Sequence, residues 1–279
     1  MTDSSYDPGR DGAAMGLSKT MSYSDYLHLD RLLVEQYPLS KAHDEMLFII
    51  QHQTSELWMK LAIHELNAAR KALQSGNIAP MFKMLARVSR IFEQLNSAWD
   101  VLRTMTPADY TEFRESLGLS SGFQSYQYRM IEYVLGNRNR NMLKPHEHLP
   151  AVHEALCDEL SKPSFYDEVI ALLFLRIDGH SGHVPSPQLD NPHQALPEVQ
   201  ARWKIVYENI SLHWELYELA EKLVDLEDYF RRWRFNHVTT VERVIGFKRG
   251  TGGTSGVAYL RRMLEVELFP ELWRLRGEL

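Results

Sequence analysis

Long stretches of this sequence place their apolar residues three, four or seven positions apart, the spacing that keeps them on one face of an α-helix. Patterns of this kind cover, in chain order, residues 43 to about 75, 81–105, 150–160, 164–176, 198–245 with a break near "ENIS", and Val257 to about Leu268. No stretch alternates apolar and polar residues as a half-buried β-strand does. The sequence therefore predicts an all-α fold, a helical bundle-like single domain.

The N-terminal residues lack this spacing. Residues 1–20 are polar and rich in Gly, Ser and Asp, and we interpret them as a flexible tail before a helical domain of residues 21–279. A first helix is expected in "SYSDYLHLDRLL", with Ser24 or Asp25 as its N-cap.

Internal boundary signals support the helical pattern. In "TPAD", Thr106 can cap a helix, Pro107 suits its first position, and Asp109 can reach back to complete a capping box. Gly136 suits the C-terminal cap of a helix in "YQYRMIEYVLGN". Residues 177–197 are rich in Gly and Pro, so a long loop or short-helix region is expected there.

Charge and cysteine content restrict the function. The net charge of −6 argues against a nucleic-acid-binding protein, which usually shows a basic face. Cys157 is the single cysteine, so no disulfide forms within the chain, and a reducing, cytoplasmic compartment is expected. No apolar run approaches the roughly 18 residues of a membrane span. Neither a nucleic-acid nor a membrane partner is predicted.

His52 lies in "LFIIQHQTSELWMK", where helical spacing places it on one face with Phe48, Met59 and Ile63. The opposite face is apolar as well, and its members are Met46, Ile50, Leu57 and Leu61. A helix that is apolar on two faces is expected to lie between two layers. His52 is then either a core histidine satisfied by a neighbour or a histidine that faces a ligand.

His237 also lies on an apolar face, on a second helix. It belongs to an apolar stripe formed by Leu226, Phe230, Trp233, His237, Val241 and Val244. One reading is a buried, hydrogen-bonded imidazole. The other is a haem site, in which one neutral imidazole binds iron and the second histidine faces the opposite side. Because the sequence has no Cys-x-x-Cys-His motif, such a haem would be noncovalent.

Other histidines and a glycine-rich segment offer weaker signals. The histidines of "HEH" at 146–148 and "HSGH" at 180–183 are interpreted as solvated loop residues. Arg114 lies one helical turn after Tyr110 and could bind a carboxylate with its planar fork, or form a surface salt bridge. "GTGGTSG" could bring backbone N–H groups and Thr251 close to a small polar ligand, or serve as a mobile connector.

Four longer segments resemble the tryptophan 2,3-dioxygenase family of the bacterial type. They are "HDEMLFIIQHQTSELWMKL", "MTPADYTEFRESLGLSSGFQSYQYR", "EKLVDLEDYFRRWRFNHVTTVERVIGFKRGTGGTSGV" and "LFPELW". The resemblance spans nearly the whole chain from about Met21. It implies an α-helical homotetramer, a dimer of dimers, with one haem b per subunit. It also implies that L-tryptophan and O2 become N-formyl-L-kynurenine, the first step of tryptophan catabolism by the kynurenine pathway.

The resemblance assigns roles position by position. His237 becomes the axial ligand of the haem iron, and His52 the catalytic-site histidine on the distal side, where it hydrogen-bonds the indole N–H. Arg114 is expected to bind the substrate carboxylate, and Thr251 the amino-acid end. The remaining residues implied to line the substrate are Phe48, Ile49, Ile50, Gln51, Tyr110, Ser121 and Gly122, with Tyr23, Tyr26 and Leu27 inserted from a neighbouring subunit.

Two alternatives remain beside this interpretation. A related haem enzyme could oxygenate another indole or insert one oxygen atom. A non-catalytic haem-binding helical protein would need no amino-acid clamp, so Arg114 and Thr251 argue against it.

Overall fold

Twelve α-helices make up most of the chain that the computed structural model describes, namely residues 6–17, 20–179 and 184–279. In chain order they are α1 (Tyr23–Leu27), α2 (Leu29–Leu32), α3 (Asp44–Gln74), α4 (Ala79–Leu102), α5 (Pro107–Arg114), α6 (Tyr126–Leu135), α7 (Pro150–Leu160), α8 (Phe165–Asp178), α9 (Pro197–Glu208), α10 (Trp214–Val244), α11 (Val257–Met263) and α12 (Pro270–Leu275). Those ranges contain no β-strand, so the predicted all-α fold is confirmed. Within them, no helix is both long and apolar enough to cross a membrane.

The chain divides into two compact units, Met1–Pro38 and Leu39–Leu279. The first contains α1 and α2, and none of its described residues is buried. The second contains α3 to α12 and all of the hydrophobic core. The division into a tail of residues 1–20 and a domain of residues 21–279 stays a prediction.

Three long helices frame the second unit. A turn at Gly76, where φ is +72°, joins α3 to α4. The helix α4 packs against both α3 and α10. Their apolar faces meet in one cluster, whose fully buried members include Leu66, Met81, Phe92, Leu223 and Phe230. Full burial of a side chain of this size contributes about 1.5–3 kcal/mol. The helices that carry His52 and His237 are therefore held by a common neighbour, α4.

The internal capping signals are confirmed. The Thr106 hydroxyl accepts a hydrogen bond from the Asp109 N–H, and the Asp109 carboxylate accepts one from the Thr106 N–H, which together close a capping box. Gly136 ends α6 with φ at +103°, a left-handed conformation in which a side chain would be strained. These boundaries depend on contacts within a few residues, which is why the sequence predicts them well.

The N-cap predicted for the first helix is wrong. Ser22, not Ser24 or Asp25, caps α1: its hydroxyl accepts from the Asp25 N–H at 3.2 Å, and the Asp25 carboxylate accepts from the Ser22 N–H at 2.9 Å. The helix then stops at Leu27, because His28 adopts a positive φ of 51° and separates α1 from α2.

The helix predicted from Val257 to about Leu268 also ends earlier than expected. It is α11, which covers Val257–Met263, and α12 follows as a separate helix. The buried carboxylate of Glu227 accepts hydrogen bonds from the N–H groups of Leu268 and Phe269, at 2.8 and 2.9 Å. This long-range contact fixes the non-helical backbone before Pro270, and no local sequence pattern predicts it.

The second apolar face of α3 is left partly exposed by the described residues of one chain. On the first face, Met59 is buried and Phe48 packs on a small cluster around Phe113. The opposite face has side chains that are 37–48% exposed, namely Met46, Ile50, Leu57 and Leu61. The expectation of a layer on both sides of this helix is therefore wrong for the single chain.

Residues 184–196, which lead into α9, are irregular, as predicted, and α8 extends to Asp178. The histidines of "HSGH" at 180–183 lie outside the described residues. The interpretation of "HEH" as solvated is correct for His148, which is exposed, and wrong for His146, which is 2% exposed. Burial lowers the pKa of His146, and the positive charge of Arg129 lowers it further.

Candidate active site

His237 lies on α10 among aromatic side chains. The indole of Trp99 stacks on its imidazole with ring centroids 4.9 Å apart and planes 17° apart, and Trp233 lies 5.5 Å away. Burial lowers the pKa of His237 to about 4, so the ring is neutral at neutral pH. No hydrogen bond among the described residues uses its ring nitrogens. Part of the residue remains accessible to solvent. A neutral imidazole with a free lone pair can bind a metal ion.

His52 lies on α3 with one ring nitrogen already engaged. Its Nδ1 is 2.7 Å from the carbonyl oxygen of Phe48. A carbonyl oxygen can only accept, so Nδ1 carries the proton and donates it. Burial lowers the pKa of His52, so the ring is neutral and Nε2 keeps its lone pair. This tautomer leaves Nε2 as an acceptor for a single N–H donor.

The two imidazoles influence each other electrostatically. After burial, the second cause that lowers the pKa of His237 is the positive charge that His52 would carry. Such an influence indicates that the two rings lie near each other. Both rings are partly accessible to solvent, and the helices that carry them pack on the same neighbour, α4.

An aromatic wall lies beside His52. The Phe48 ring lies 4.2 Å from the His52 ring, 5.5 Å from Phe113 and 6.2 Å from Tyr110. Burial raises the pKa of Tyr110, while neighbouring Arg114 lowers it by a smaller amount. The capping box at the start of α5 orients the helix that carries these side chains. The resulting wall suits a flat apolar ring.

Two polar groups join the loop between α10 and α11 to the end of α5 and the segment that follows it. Arg114 Nη2 donates to the carbonyl of Arg249 at 2.7 Å, and the Thr251 hydroxyl donates to the carbonyl of Ser120 at 2.6 Å. Gly252 lies so close to Ser121 that a Cβ on Gly252 would come within 2.8 Å of the Ser121 Cβ. The structure therefore brings the predicted Arg114, Thr251 and Ser121 together.

Other predicted site residues lie further from this arrangement or are not placed by it. Ile49 and Gln51 are half-buried beside Phe48, whereas Ile50 is 44% exposed on the opposite face of α3. Gly122 is exposed at the start of a short 3-10 helix. Three residues belong to the first compact unit and have exposed side chains, namely Tyr23, Tyr26 and Leu27. The roles given to all of these residues stay predictions.

Sequence reasoning missed the aromatic partner of His237. Trp99 lies in the C-terminal third of the predicted helix 81–105 and has no local signal that distinguishes it from a core tryptophan. Its position on α4, opposite His237, arises only when α4 packs on α10. Its indole Nε1 is buried and has no hydrogen-bond partner among the described residues.

The residues around His237 fit a haem. A planar apolar macrocycle matches the aromatic surroundings, and the neutral imidazole matches the axial iron ligand of many haem proteins. The unpartnered Trp99 N–H offers a donor for a ligand oxygen. A metal site made only of protein ligands is a poorer match, since the described residues contain no group of three or more His, Cys, Asp or Glu side chains that could hold a metal ion.

Fold and site together define an all-helical protein with two neutral histidines, each packed against aromatic side chains. The sequence profile of the tryptophan 2,3-dioxygenase family matches residues 9–164 and 179–279. The tryptophan 2,3-dioxygenase of Ruegeria sp. (strain TM1040) is 75% identical over 279 residues, all of both chains. Those of Ruegeria pomeroyi and Bradyrhizobium diazoefficiens are 67% and 65% identical over 276 residues, with at least 98% of each chain covered. The chain belongs to the tryptophan 2,3-dioxygenase family, whose members are haem-dependent enzymes.

Proposed function

We propose that the cleft between His237 and His52 binds haem b and L-tryptophan, and that the chain converts L-tryptophan and O2 to N-formyl-L-kynurenine. The pair of neutral imidazoles carries this proposal. One has a free lone pair for iron, and the other has a single acceptor for the indole N–H. Membership of the family and the identity to curated tryptophan 2,3-dioxygenases support the activity.

His237 is the proposed axial ligand of one haem per subunit. Its low pKa supports the assignment, because proton competition for the lone pair is weak at neutral pH. Trp99 and Trp233 would cover part of the macrocycle. The haem would be noncovalent, since Cys157, the single cysteine, lies on α7 beside His153 and not near α10. When bound, the haem supplies the iron that activates O2.

His52 orients the indole. Its Nε2 accepts the indole N–H, and the Phe48 ring packs on the face of the bicycle, with Ile49, Gln51 and Tyr110 completing the proposed wall. A single turn of α3 thus supplies an apolar surface and one polar atom. The indole is a flat ring with a single N–H donor, so the two match in shape and in hydrogen bonding.

Arg114 and Thr251 bind the amino-acid end of the substrate. In the structure both side chains donate to main-chain carbonyl oxygens. A carboxylate oxygen is a stronger acceptor than a carbonyl for a guanidinium, so the substrate can replace Arg249 O at Arg114. Ser121 and Gly122 would border the same space.

The reaction needs no second cofactor. Both atoms of O2 enter the product as the C2=C3 bond of the indole is cleaved, so substrate plus O2 equals product in atoms and electrons. The residues of this chain hold the indole ring, fix its amino-acid end and exclude water from the reacting bond.

The assembly is a proposed homotetramer, a dimer of dimers, in the cytoplasm. The exposed apolar face of α3 supports a subunit contact, because a monomer rarely leaves such a continuous face uncovered. Tyr23, Tyr26 and Leu27, all exposed, would enter the active site of a neighbouring subunit.

The decisive experiment is a single reaction. The purified haem protein is reduced without oxygen, then receives L-tryptophan and ¹⁸O-labelled O2, and the product is analysed by mass spectrometry. We expect one product that retains both labelled atoms. One retained atom, or turnover only with another indole, would support the related-enzyme alternative. A haem spectrum without turnover would support a non-catalytic haem protein.

A further inference from the structure

A polar clamp joins the end of α4 to the turn of α10 that carries His237. Arg103 directly follows the last residue of α4, and its guanidinium reaches across to α10. Nε donates to the Thr240 hydroxyl at 2.8 Å. Nη2 lies 3.2 Å from both the main-chain and the side-chain oxygen of Asn236, and 2.5 Å from the Thr239 hydroxyl. Every one of these acceptors is within three residues of His237.

Further hydrogen bonds connect the same two helices at this level. The Asn236 amide donates to Asn96 Oδ1 at 2.9 Å, and Asn96 donates in turn to the Tyr229 carbonyl at 3.1 Å. From the other side, Arg243 Nε donates to the Arg103 carbonyl at 3.1 Å. The turn that carries His237 is therefore fixed at several points to α4.

The clamp has the geometry to control where the imidazole points. Successive residues in an α-helix are rotated by about 100°, so any rotation of this turn moves all its side chains together. Contacts to Asn236, Thr239 and Thr240 oppose such a rotation. One turn before Arg103 on α4, Trp99 stacks flat on the imidazole and restricts its plane. A single helix thus restricts both the rotation of the turn and the plane of the ring.

We infer that Arg103 is a positioning residue for His237, which directs the imidazole toward the haem iron. The inference rests on the proposed function, because it takes His237 as the axial ligand. An arginine that served only as a surface charge would point to an acid. Arg103 has one such contact, 3.5 Å from the largely exposed Asp100 side chain, whereas its hydrogen bonds go to neutral acceptors on one turn of α10.

The test is Arg103→Met in the haem-loaded protein. Methionine keeps much of the apolar stem and removes every donor. The iron–histidine stretching band of the ferrous protein, measured by resonance Raman spectroscopy, reports the geometry of the axial bond directly. The rate of haem transfer to apomyoglobin reports its strength. We expect a shifted and broadened band and about tenfold faster haem loss, as for residues that orient metal ligands.

Two variants serve as controls. Arg232→Met removes an exposed arginine of α10 that pairs with Asp228, and we expect it to leave the band and the rate unchanged. Thr240→Val removes one acceptor of the clamp and should shift the band in the same direction as Arg103→Met. The double variant Arg103→Met/Thr240→Val should add little to Arg103→Met, since both changes break the same contact. Thr240→Val also provides the test if Arg103→Met does not fold.

The outcomes separate this inference from the proposed function. A folded Arg103→Met protein with an unchanged band and haem-loss rate would overturn the positioning role, even if its melting temperature fell. An additive double variant would overturn it as well. In contrast, a His237→Ala protein that kept its haem and its iron–histidine band would overturn the axial assignment itself.

Discussion

His237 and His52 are both neutral imidazoles on long helices, but their surroundings differ in kind. His237 lies against Trp99 and Trp233, and the turn that carries it is tied to α4 by Arg103. His52 is bonded to its own helix through the Phe48 carbonyl, and the predicted substrate-binding groups beyond it, Arg114 and Thr251, donate to loop carbonyls.

The comparison distinguishes a rigid side of the site, around His237, from an exchangeable side, around Arg114 and Thr251, where a ligand can replace existing hydrogen bonds. Around His237 the contacts join side chains of two packed helices, and breaking one leaves a partly buried polar group without a partner. Around Arg114 and Thr251 the contacts are single hydrogen bonds in loops, and a ligand oxygen can replace each carbonyl. We therefore expect the cofactor side to be preformed and the amino-acid end of the substrate site to rearrange on binding.

The largest effect should come from the rigid side. His237→Ala removes the proposed axial ligand, so we expect a haem-poor protein without activity, measured by haem content and product formation. His64→Ala, at an exposed histidine of α3, should keep both. Normal haem content and activity in His237→Ala would mean that the two sides do not differ as described.

Arg114→Ala should produce the next largest effect, on substrate binding alone. An unpaired carboxylate in a desolvated site costs on the order of 2–5 kcal/mol, so KM for tryptophan should rise at least about 30-fold while haem content stays normal. Tryptamine lacks the carboxylate and should respond far less. An equal loss for both compounds would contradict a role for Arg114 at the carboxylate.

His52→Ala should have an intermediate effect, because it removes one neutral hydrogen bond. A bond of this kind contributes about 0.5–1.5 kcal/mol, which corresponds to a loss of up to about tenfold in kcat/KM. Haem should be retained through His237. Tryptophan methylated at the indole nitrogen should be tolerated better by the variant than by the parent. Complete inactivity of the folded, haem-loaded variant would show that His52 does more than orient the ring.

Thr251→Val should have the smallest effect. The hydroxyl makes one hydrogen bond to the Ser120 carbonyl, in a loop that is only half-buried. We expect KM to rise about threefold with kcat little changed. Thr111→Val removes a similar bond, to the Pro107 carbonyl, at an exposed position of α5, and should leave KM unchanged. A rise in KM as large as that caused by Arg114→Ala would show that the Thr251 contact does not belong to the exchangeable side.

The sequence predicts what depends on local spacing. Helical periodicity identifies α3, α4 and α10, and it places His52 and His237 on apolar faces. The capping box of Thr106 and Asp109 is visible because its two members are three residues apart. The spacing of Arg114 and Thr251 leaves other interpretations open. Their proposed roles come from the resemblance to the family.

Contacts between distant segments were not predictable in the same way. The bonds from Glu227 to Leu268 and Phe269, which separate α11 from α12, join residues far apart in sequence. The same is true of the Trp99 stack on His237 and of the Arg103 clamp. Each requires two helices to pack in a particular register, and a single sequence does not encode that register in any short pattern.

The stack of Trp99 on His237 has an optical consequence. Indole emission overlaps the absorption of a porphyrin, so a haem at His237 would quench Trp99 and Trp233 by energy transfer. Both indoles lie within 6 Å of the imidazole, at 4.9 and 5.5 Å between ring centroids. The intrinsic fluorescence of this protein should therefore rise as haem leaves. Cofactor loss can then be followed in real time without adding a dye or changing a residue.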